Sequence, residues 1–171
     1  MDAETLRALQ SPLKAHYRAE PAAALVTLRA QGRLSDGLSC RVETGRTIVE
    51  AGLHPATGGT GELACSGDML LEALVACAGV TLRAVATSLG IAVRDGTLRA
   101  EGDIDFRGTL GVSKEADVGF QAIRLSIELD TPATSDELDT LARLTERYCV
   151  VYQTLRGGVD VSMELSGTRG R

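Results

Sequence analysis

Apolar residues recur along this chain with two different spacings, and each spacing predicts one type of secondary structure. Leu6, Leu9 and Leu13 lie three or four positions apart among polar and charged residues, which is the spacing of one helix face. Pro21 marks the point where such a helix stops. The pattern therefore predicts a short amphipathic helix over residues 1 to about 20.

Short apolar runs separated by turn-forming residues come next. Gly32, a Ser-Asp-Gly turn at 35–37 and Gly45 divide three such runs: Leu25–Leu28, Cys40–Thr44 and Thr47–Val49. These runs predict a meander of three short strands.

From His54 to Gly67 a proline and several glycines break any regular period, which predicts a long loop. This loop is either a flap near a site or a flexible crossing over the surface of a dimer.

The most apolar stretch of the chain covers residues 68–89. Beyond its first residue only Glu72 and Arg83 interrupt the apolar surface, and Gly90 ends the pattern. A helix that is apolar on all sides must be surrounded. A membrane span has a similar length, but this stretch is rich in Ala, Thr and Ser and carries charges. We therefore predict a long helix buried in protein, with a second copy of the chain as its cover.

Strict alternation of apolar and polar residues predicts a β-hairpin in the next part of the chain. The alternation runs over residues 98–107 and again over 123–130, and residues 108–119 join the two strands. One face of the hairpin is expected to face the core and the other to face water.

A helix is predicted after the hairpin, capped by Thr134 or Ser135 and continuing to the region of Cys149. Alternation over residues 159–165 predicts a terminal strand. The order of elements is helix, meander, buried helix, hairpin, helix and strand. This order indicates an α+β fold rather than a doubly wound one.

Composition narrows the classes of function. The 171 residues, 44% hydrophobic and 24% charged, are typical of one soluble globular domain. Aromatic residues make up 3%, tryptophan is absent and the formal charge is −5, which disfavours binding of nucleic acids or glycans. The first residues contain no basic segment followed by an apolar run, so we predict a cytoplasmic protein.

Four cysteines are the candidate reactive groups: Cys40, Cys65, Cys77 and Cys149. Their spacing fits neither a CxxC pair nor a zinc site, and the chain has two histidines, so no metal and no cofactor are predicted. In a reducing cytosol each thiol is either a packing residue or a reactive group. Cys77 lies about nine residues, roughly 14 Å, into its helix, too far for the helix dipole to lower its pKa. Local sequence alone favours packing for Cys77 and for Cys149, and their spacing does not tell whether the sulfurs meet.

Two segments resemble the cysteine motifs of the OsmC/Ohr family. Gly67–Arg83 is similar to its first cysteine helix, with the pattern LLxAxxACxxxTL, and Arg147–Leu155 with the following Val-Asp-Val-Ser-Met-Glu is similar to its second motif and terminal strand. The resemblance covers roughly residues 25 to 166. It implies an N-terminal helical extension of residues 1–24 and an OsmC-like domain of residues 25–171, arranged as an intertwined homodimer with the cysteine helices at its centre.

The same resemblance implies a thiol-dependent peroxidase. By analogy, Cys77 attacks an organic hydroperoxide and becomes a sulfenic acid, and Cys149 then resolves it to a disulfide that a dithiol, such as a lipoylated protein, reduces. Arg33, or Arg29 as second choice, is expected to hold the thiolate. Asp68 is the candidate acid that orients the arginine, one place after the usual acidic position, which is Gly67 here.

Two departures from the family pattern keep other functions open. The usual acid is replaced by Gly67, and the proline that often follows the second cysteine is replaced by Val150. An alternative function is therefore non-catalytic binding of a small apolar ligand at the dimer interface. A purely structural dimer is the third alternative. The partners expected are a second copy of the chain, a small hydroperoxide and a dithiol, with neither nucleic acid nor a membrane.

Overall fold

A computed structural model describes residues 2–20, 31–35, 39–44, 47–111 and 113–167 of the chain. The first element is helix α1, Ala3–Ala19. The Asp2 side chain caps it by accepting a hydrogen bond from the Thr5 N–H at 2.8 Å. The predicted amphipathic helix is confirmed, and it packs against the long helix described below.

Four strands form the first sheet in the order β1, Gln31–Ser35; β2, Ser39–Thr44; β3, Thr47–Gly52; and β4, Ala64–Cys65. The first three pair antiparallel and β4 runs parallel to β3. The predicted first strand, Leu25–Leu28, lies outside the described residues. The interpretation of Gly32 and Ser35 as breaks was wrong, because pairing of β1 with β2 overrides their weak strand propensity.

The predicted loop from His54 to Gly67 is confirmed over most of its length. A 3₁₀ turn at Pro55–Thr57 is capped by His54, whose Nδ1 accepts from the Ala56 N–H at 3.0 Å. Gly58 follows with a φ of 92°, a conformation that glycine adopts without strain. The last residues of the predicted loop instead form β4 and the start of the next helix.

Helix α2, Ser66–Leu89, is the predicted central helix, and Gly90 ends it with a φ of 72°. Its buried residues follow each other four positions apart: Leu74, Ala78, Leu82 and Ala86. On another side Val80 is 72% exposed, so a single chain covers only one stripe of the helix. By length and composition α2 could also cross a membrane, a test that core helices pass equally well.

The predicted hairpin is formed by β5, Asp95–Ile104, and β6, Phe120–Asp130, paired antiparallel. Leu98 lies opposite Ile127, and this apolar face packs against α2. The strand ends earlier than predicted, because the Asp105 side chain accepts from the Arg107 N–H and starts a short helix, α3, Phe106–Thr109.

Two helices follow where one was predicted. Helix α4, Ser135–Tyr148, begins with a capping box in which Thr134 and Glu137 exchange side-chain and backbone hydrogen bonds. Helix α5, Val150–Gly157, comes directly after Cys149. The α+β class is confirmed, and its core lies where α2, α5 and the hairpin meet around Leu74, Ala78 and Cys149.

The predicted terminal strand does not form in the single chain. Residues 158–167 carry no strand pairing, and the apolar side chains of Val161, Met163 and Leu165 are 86%, 89% and 94% exposed. A strand requires a neighbour to accept and donate its main-chain hydrogen bonds. No such neighbour lies beside this segment among the described residues of one chain.

Candidate active site

Cys149 lies at a break between two helices, not late in one helix as the sequence predicted. Its φ and ψ of −73° and 108° are extended, and the residue is 1% exposed. The last bond of α4 runs from its N–H to the Thr145 carbonyl at 2.9 Å, and the first bond of α5 runs from the Gln153 N–H to its carbonyl at 3.0 Å. Beyond the break, Val151 and Tyr152 of α5 pack against the core cluster.

Cys77 lies in the middle of α2, half-buried, and packs against the core cluster that contains Cys149. The two thiols are close enough for each to shift the pKa of the other. The structure thus brings together the two cysteines that the sequence singled out. Among the described cysteines, these and Cys65 are free thiols.

The ionisation of Cys77 is set by opposing influences. Burial is the largest, and it opposes formation of the thiolate. Hydrogen bonds to the sulfur outweigh it, so that the pKa of Cys77 lies below its ordinary value. The donors are the backbone N–H groups of Val151 and Val150, the thiol of Cys149 and the hydroxyl of Thr81.

Cys149 has the opposite tendency. Burial is again the largest influence and raises the pKa of its thiol, and the neighbouring Cys77 raises it further. The N–H of Tyr152 acts in the other direction without overcoming them. The pair is therefore asymmetric, since the pKa of Cys77 is lowered and that of Cys149 is raised, so that Cys77 loses its proton first as the pH rises.

Asp68, another predicted site residue, is not part of this contact. Asp68 lies exposed in the first turn of α2, where a carboxylate suits the helix N-terminus, about 14 Å along the axis from Cys77. It lines a separate cavity of about 350 Å³ together with Cys65. Arg33 lies on β1, where its backbone is paired opposite Arg41, and Arg29 lies outside the described residues.

Sequence reasoning missed the main-chain donors of this site. A backbone N–H is not specified by residue type, and nothing in the Val150-Val151 dipeptide distinguishes it from packing residues. Thr81 left a clearer signal, because it lies four residues after Cys77 and hence on the same helix face.

A cavity of about 340 Å³ opens behind Cys149, between β6 and the helices α2, α4 and α5. Its walls include Ile123, Leu125, Ile127 and Thr145. Thr145 is 3% exposed, and its Oγ1 has no hydrogen-bond partner among the described residues. A cavity with apolar walls on the β6 side and polar groups on the α4 side suits a ligand that has an apolar body and a polar group. Elsewhere in the described part of the chain, no three His, Cys, Asp or Glu side chains converge as metal ligands.

Comparison with known proteins places the cysteine pair in a known context. The family model described as OsmC-like protein matches residues 59–164, which include both Cys77 and Cys149. This range spans more than half of the chain and contains α2, the hairpin, α4 and α5. No curated protein sequence matches the chain.

Several solved structures share the fold. An OsmC-like protein from Mycoplasma pneumoniae matches with a TM-score of 0.67 at 17% identity, over 78% of this chain and 89% of that one. An organic hydroperoxide resistance protein from Elizabethkingia anophelis gives 0.64 at 20% identity, over 79% and 91%. A protein of the same description, OsmC from Legionella pneumophila, gives 0.62 at 20%, over 80% and 94%. At these identities the likeness establishes the fold alone.

Proposed function

Because the chain belongs to the OsmC-like protein family, we propose that it is a thiol peroxidase that reduces organic hydroperoxides with Cys77 and Cys149. The packing of Cys77, whose pKa is lowered, against the cluster that contains Cys149, whose pKa is raised, carries this proposal. Two proteins of similar structure bear the description of organic hydroperoxide resistance proteins, which agrees with a peroxide-related redox function.

The proposed reaction starts from the Cys77 thiolate. It attacks the terminal oxygen of the hydroperoxide, the O–O bond breaks, and the alkoxide takes a proton to leave as an alcohol while Cys77 becomes a sulfenic acid. Cys149 then attacks the Cys77 sulfur. Its proton leaves with the hydroxide as water, and a disulfide forms. A dithiol reductant, such as a lipoylated protein, reduces this disulfide by thiol exchange and is itself oxidised.

The buried position of Cys149 fits the role of resolving residue. A thiol whose pKa is raised is a poor first nucleophile, and at 1% exposure it is shielded from solution oxidants. Because Cys77 packs against the cluster that contains Cys149, the two thiols are near each other for the second step. We therefore expect a hydroperoxide from solution to react with Cys77 first.

Arg33 and Asp68 are the proposed charged partners of this reaction. In the proposed intertwined homodimer, Arg33 from the meander would hold the thiolate and polarise the peroxide, and Asp68 would orient it. The uncovered side of α2, where Val80 is 72% exposed, supports a second copy as cover. We place the dimer in the cytoplasm, where a dithiol reductant is available.

The experiment that tests the proposal is a turnover assay. The reduced wild-type protein is mixed with cumene hydroperoxide and an excess of a small dithiol, and peroxide consumption is followed. We expect many molecules of peroxide to be consumed per protein subunit. Consumption no faster than that by the dithiol alone would overturn the proposal.

A second candidate function, binding of a small apolar ligand without catalysis, is favoured by the cavity behind Cys149. Its apolar walls and the unpaired Thr145 hydroxyl suit such a ligand. Native mass spectrometry of the purified protein would detect a retained molecule. A ligand whose retention depends on Thr145, in a protein without peroxide turnover, would support this candidate in place of the first.

The Thr145 hydroxyl also yields a stability prediction. Replacing it by the isosteric valine should raise the unfolding free energy of the ligand-free protein by about 1 kcal/mol, because an unpaired buried hydroxyl is costly. Urea denaturation measures this difference. Thr140→Val, at a half-buried position of the same helix, is the control and should change stability less. A Thr145→Val protein that is less stable than wild type would indicate that the hydroxyl has a hydrogen-bond partner in the folded protein.

A further inference from the structure

Two adjoining cavities lie along the apolar face of β6. One is the cavity of about 340 Å³ described above, and the other, of about 370 Å³, lies between β6 and the helices α2 and α5. They share three wall residues, Ile123, Leu125 and Tyr152, so that they follow each other along the strand. We call the two together the β6 groove. Each cavity has the size of a small-molecule site.

The β6 groove faces the side of α2 that is covered by its own chain. Its walls take Leu74 and Ala78 from α2, and both residues are buried. Val80, on the side left uncovered by one chain, comes two positions after Ala78 and hence lies about 200° around the helix. A second copy of the chain on that side would therefore leave the groove open.

One end of the β6 groove suits an anion. Its polar wall residues are Arg156, in the last turn of α5, and Gln121, which the pairing of β6 with β5 skips at a bulge. No carboxylate lines this cavity, and Arg156 has no ion-pair partner among the described residues. A guanidinium beside a side-chain amide can donate several hydrogen bonds to one carboxylate.

The other end of the β6 groove repels an anion but offers a hydrogen bond. Glu146 is the charged wall residue there, and beside it the buried Thr145 hydroxyl has no hydrogen-bond partner among the described residues. A buried hydroxyl without a partner is costly, so a ligand that supplies one is favoured. The walls between the two ends are mainly apolar side chains: Leu74, Ala78, Ile123, Leu125 and Leu155.

We propose that the β6 groove binds a hydroxylated medium-chain carboxylate, with its carboxylate at Arg156, its hydrocarbon chain along β6 and its hydroxyl at Thr145. Thr145 and Arg156 are 11 residues apart, roughly 17 Å measured along α4 and α5, which is about the extended length of 12-hydroxydodecanoate. This inference goes beyond the proposed peroxidase and does not depend on peroxide turnover. It adds a charged head group and its anchor to the ligand chemistry of the cavity behind Cys149.

Calorimetric titration of the reduced full-length protein with 12-hydroxydodecanoate and with dodecanoate tests the hydroxyl end. The two probes differ by one hydroxyl group, and we expect wild type to bind the hydroxylated one about fivefold more tightly, as befits one added hydrogen bond. Thr145→Val keeps the shape of the side chain and should bind both probes equally. Equal affinities in wild type, or binding of neither probe, would overturn the inference, as would a preference that persists in Thr145→Val.

Arg156→Gln tests the charged end in the same titrations. It should weaken the binding of both probes about tenfold, because each loses a charge-assisted bond to its carboxylate. Arg143→Gln removes the same charge from an exposed position of α4 outside the walls of the groove, and this control should bind both probes like wild type. Equal weakening by the two substitutions, or none by Arg156→Gln, would contradict Arg156 as the anchor. The titrations contain no peroxide, so that their outcome is independent of the proposed peroxidase.

Discussion

Cys77→Ser protein is expected to consume no organic hydroperoxide above the background of the dithiol. The loss should be complete because a serine hydroxyl does not ionise at neutral pH and cannot replace the thiolate as nucleophile. Cys65→Ser is the matched control. Cys65 is a free thiol that lines the separate cavity at the start of α2, and its replacement should leave turnover near the wild-type rate.

The Cys149→Ser protein should behave differently from the Cys77→Ser and Cys65→Ser proteins. It retains the Cys77 thiolate and should react with one equivalent of hydroperoxide, but the sulfenic acid then has no resolving partner. We expect this species to accumulate and to be labelled by dimedone at Cys77. Equal turnover in the Cys77→Ser, Cys149→Ser and wild-type proteins would contradict the assigned roles. A dimedone adduct at Cys149 in the Cys77→Ser protein would also contradict them.

The second large effect concerns assembly. We expect a homodimer in solution, with a mass of about twice 17.9 kDa by light scattering, because apolar side chains of α2 and of residues 158–167 are left uncovered by one chain. In the dimer the terminal segment would pair as a strand and bury alternate side chains. Val161 is 86% exposed in the single chain and is expected to lie on the buried face.

Val161→Lys should therefore weaken the dimer, by about 2 kcal/mol or roughly 30-fold in dissociation constant, the cost of losing one buried valine. Ser162→Lys adds the same charge on the opposite face of the strand and should have little effect. Sedimentation at a series of concentrations measures both. A wild-type protein that is monomeric at micromolar concentration would contradict the dimer, and equal effects of the two lysines would contradict the strand.

Periodicity predicted the elements whose pattern is local and long. Helix α2 and the hairpin are specified by runs of eight or more residues, and their limits agree with the prediction to within a few positions. Caps also carry local information, and Thr134 starts α4 as one of the two predicted residues. In these cases the residues that decide the structure are neighbours in sequence.

The features that the sequence did not predict depend on contacts made elsewhere. Strand β1 contains Gly32 and Ser35, and its pairing with β2 decides its conformation. The terminal segment needs a neighbouring strand that one chain does not supply. The break at Cys149 has helix-compatible residues on both sides, and the side-chain amide of Gln153 donates to the carbonyl of Glu146 across it.

The candidate site was predicted in part. The pairing of Cys77 with Cys149 followed from the family resemblance, since a spacing of 72 residues carries no information about contact. The role of Arg33 in holding the thiolate stays a prediction. The backbone N–H groups of Val151 and Val150 are among the causes that lower the pKa of Cys77, and residue type does not specify them.

Mass spectrometry after a brief exposure of the reduced protein to one equivalent of cumene hydroperoxide tests the central claim most directly. Peptide mapping should find one disulfide, between Cys77 and Cys149, with Cys65 still reduced. An oxidised product without this bond, or a protein with neither a disulfide nor a sulfenic acid, would contradict the claim that the two thiols form a peroxide-reducing pair.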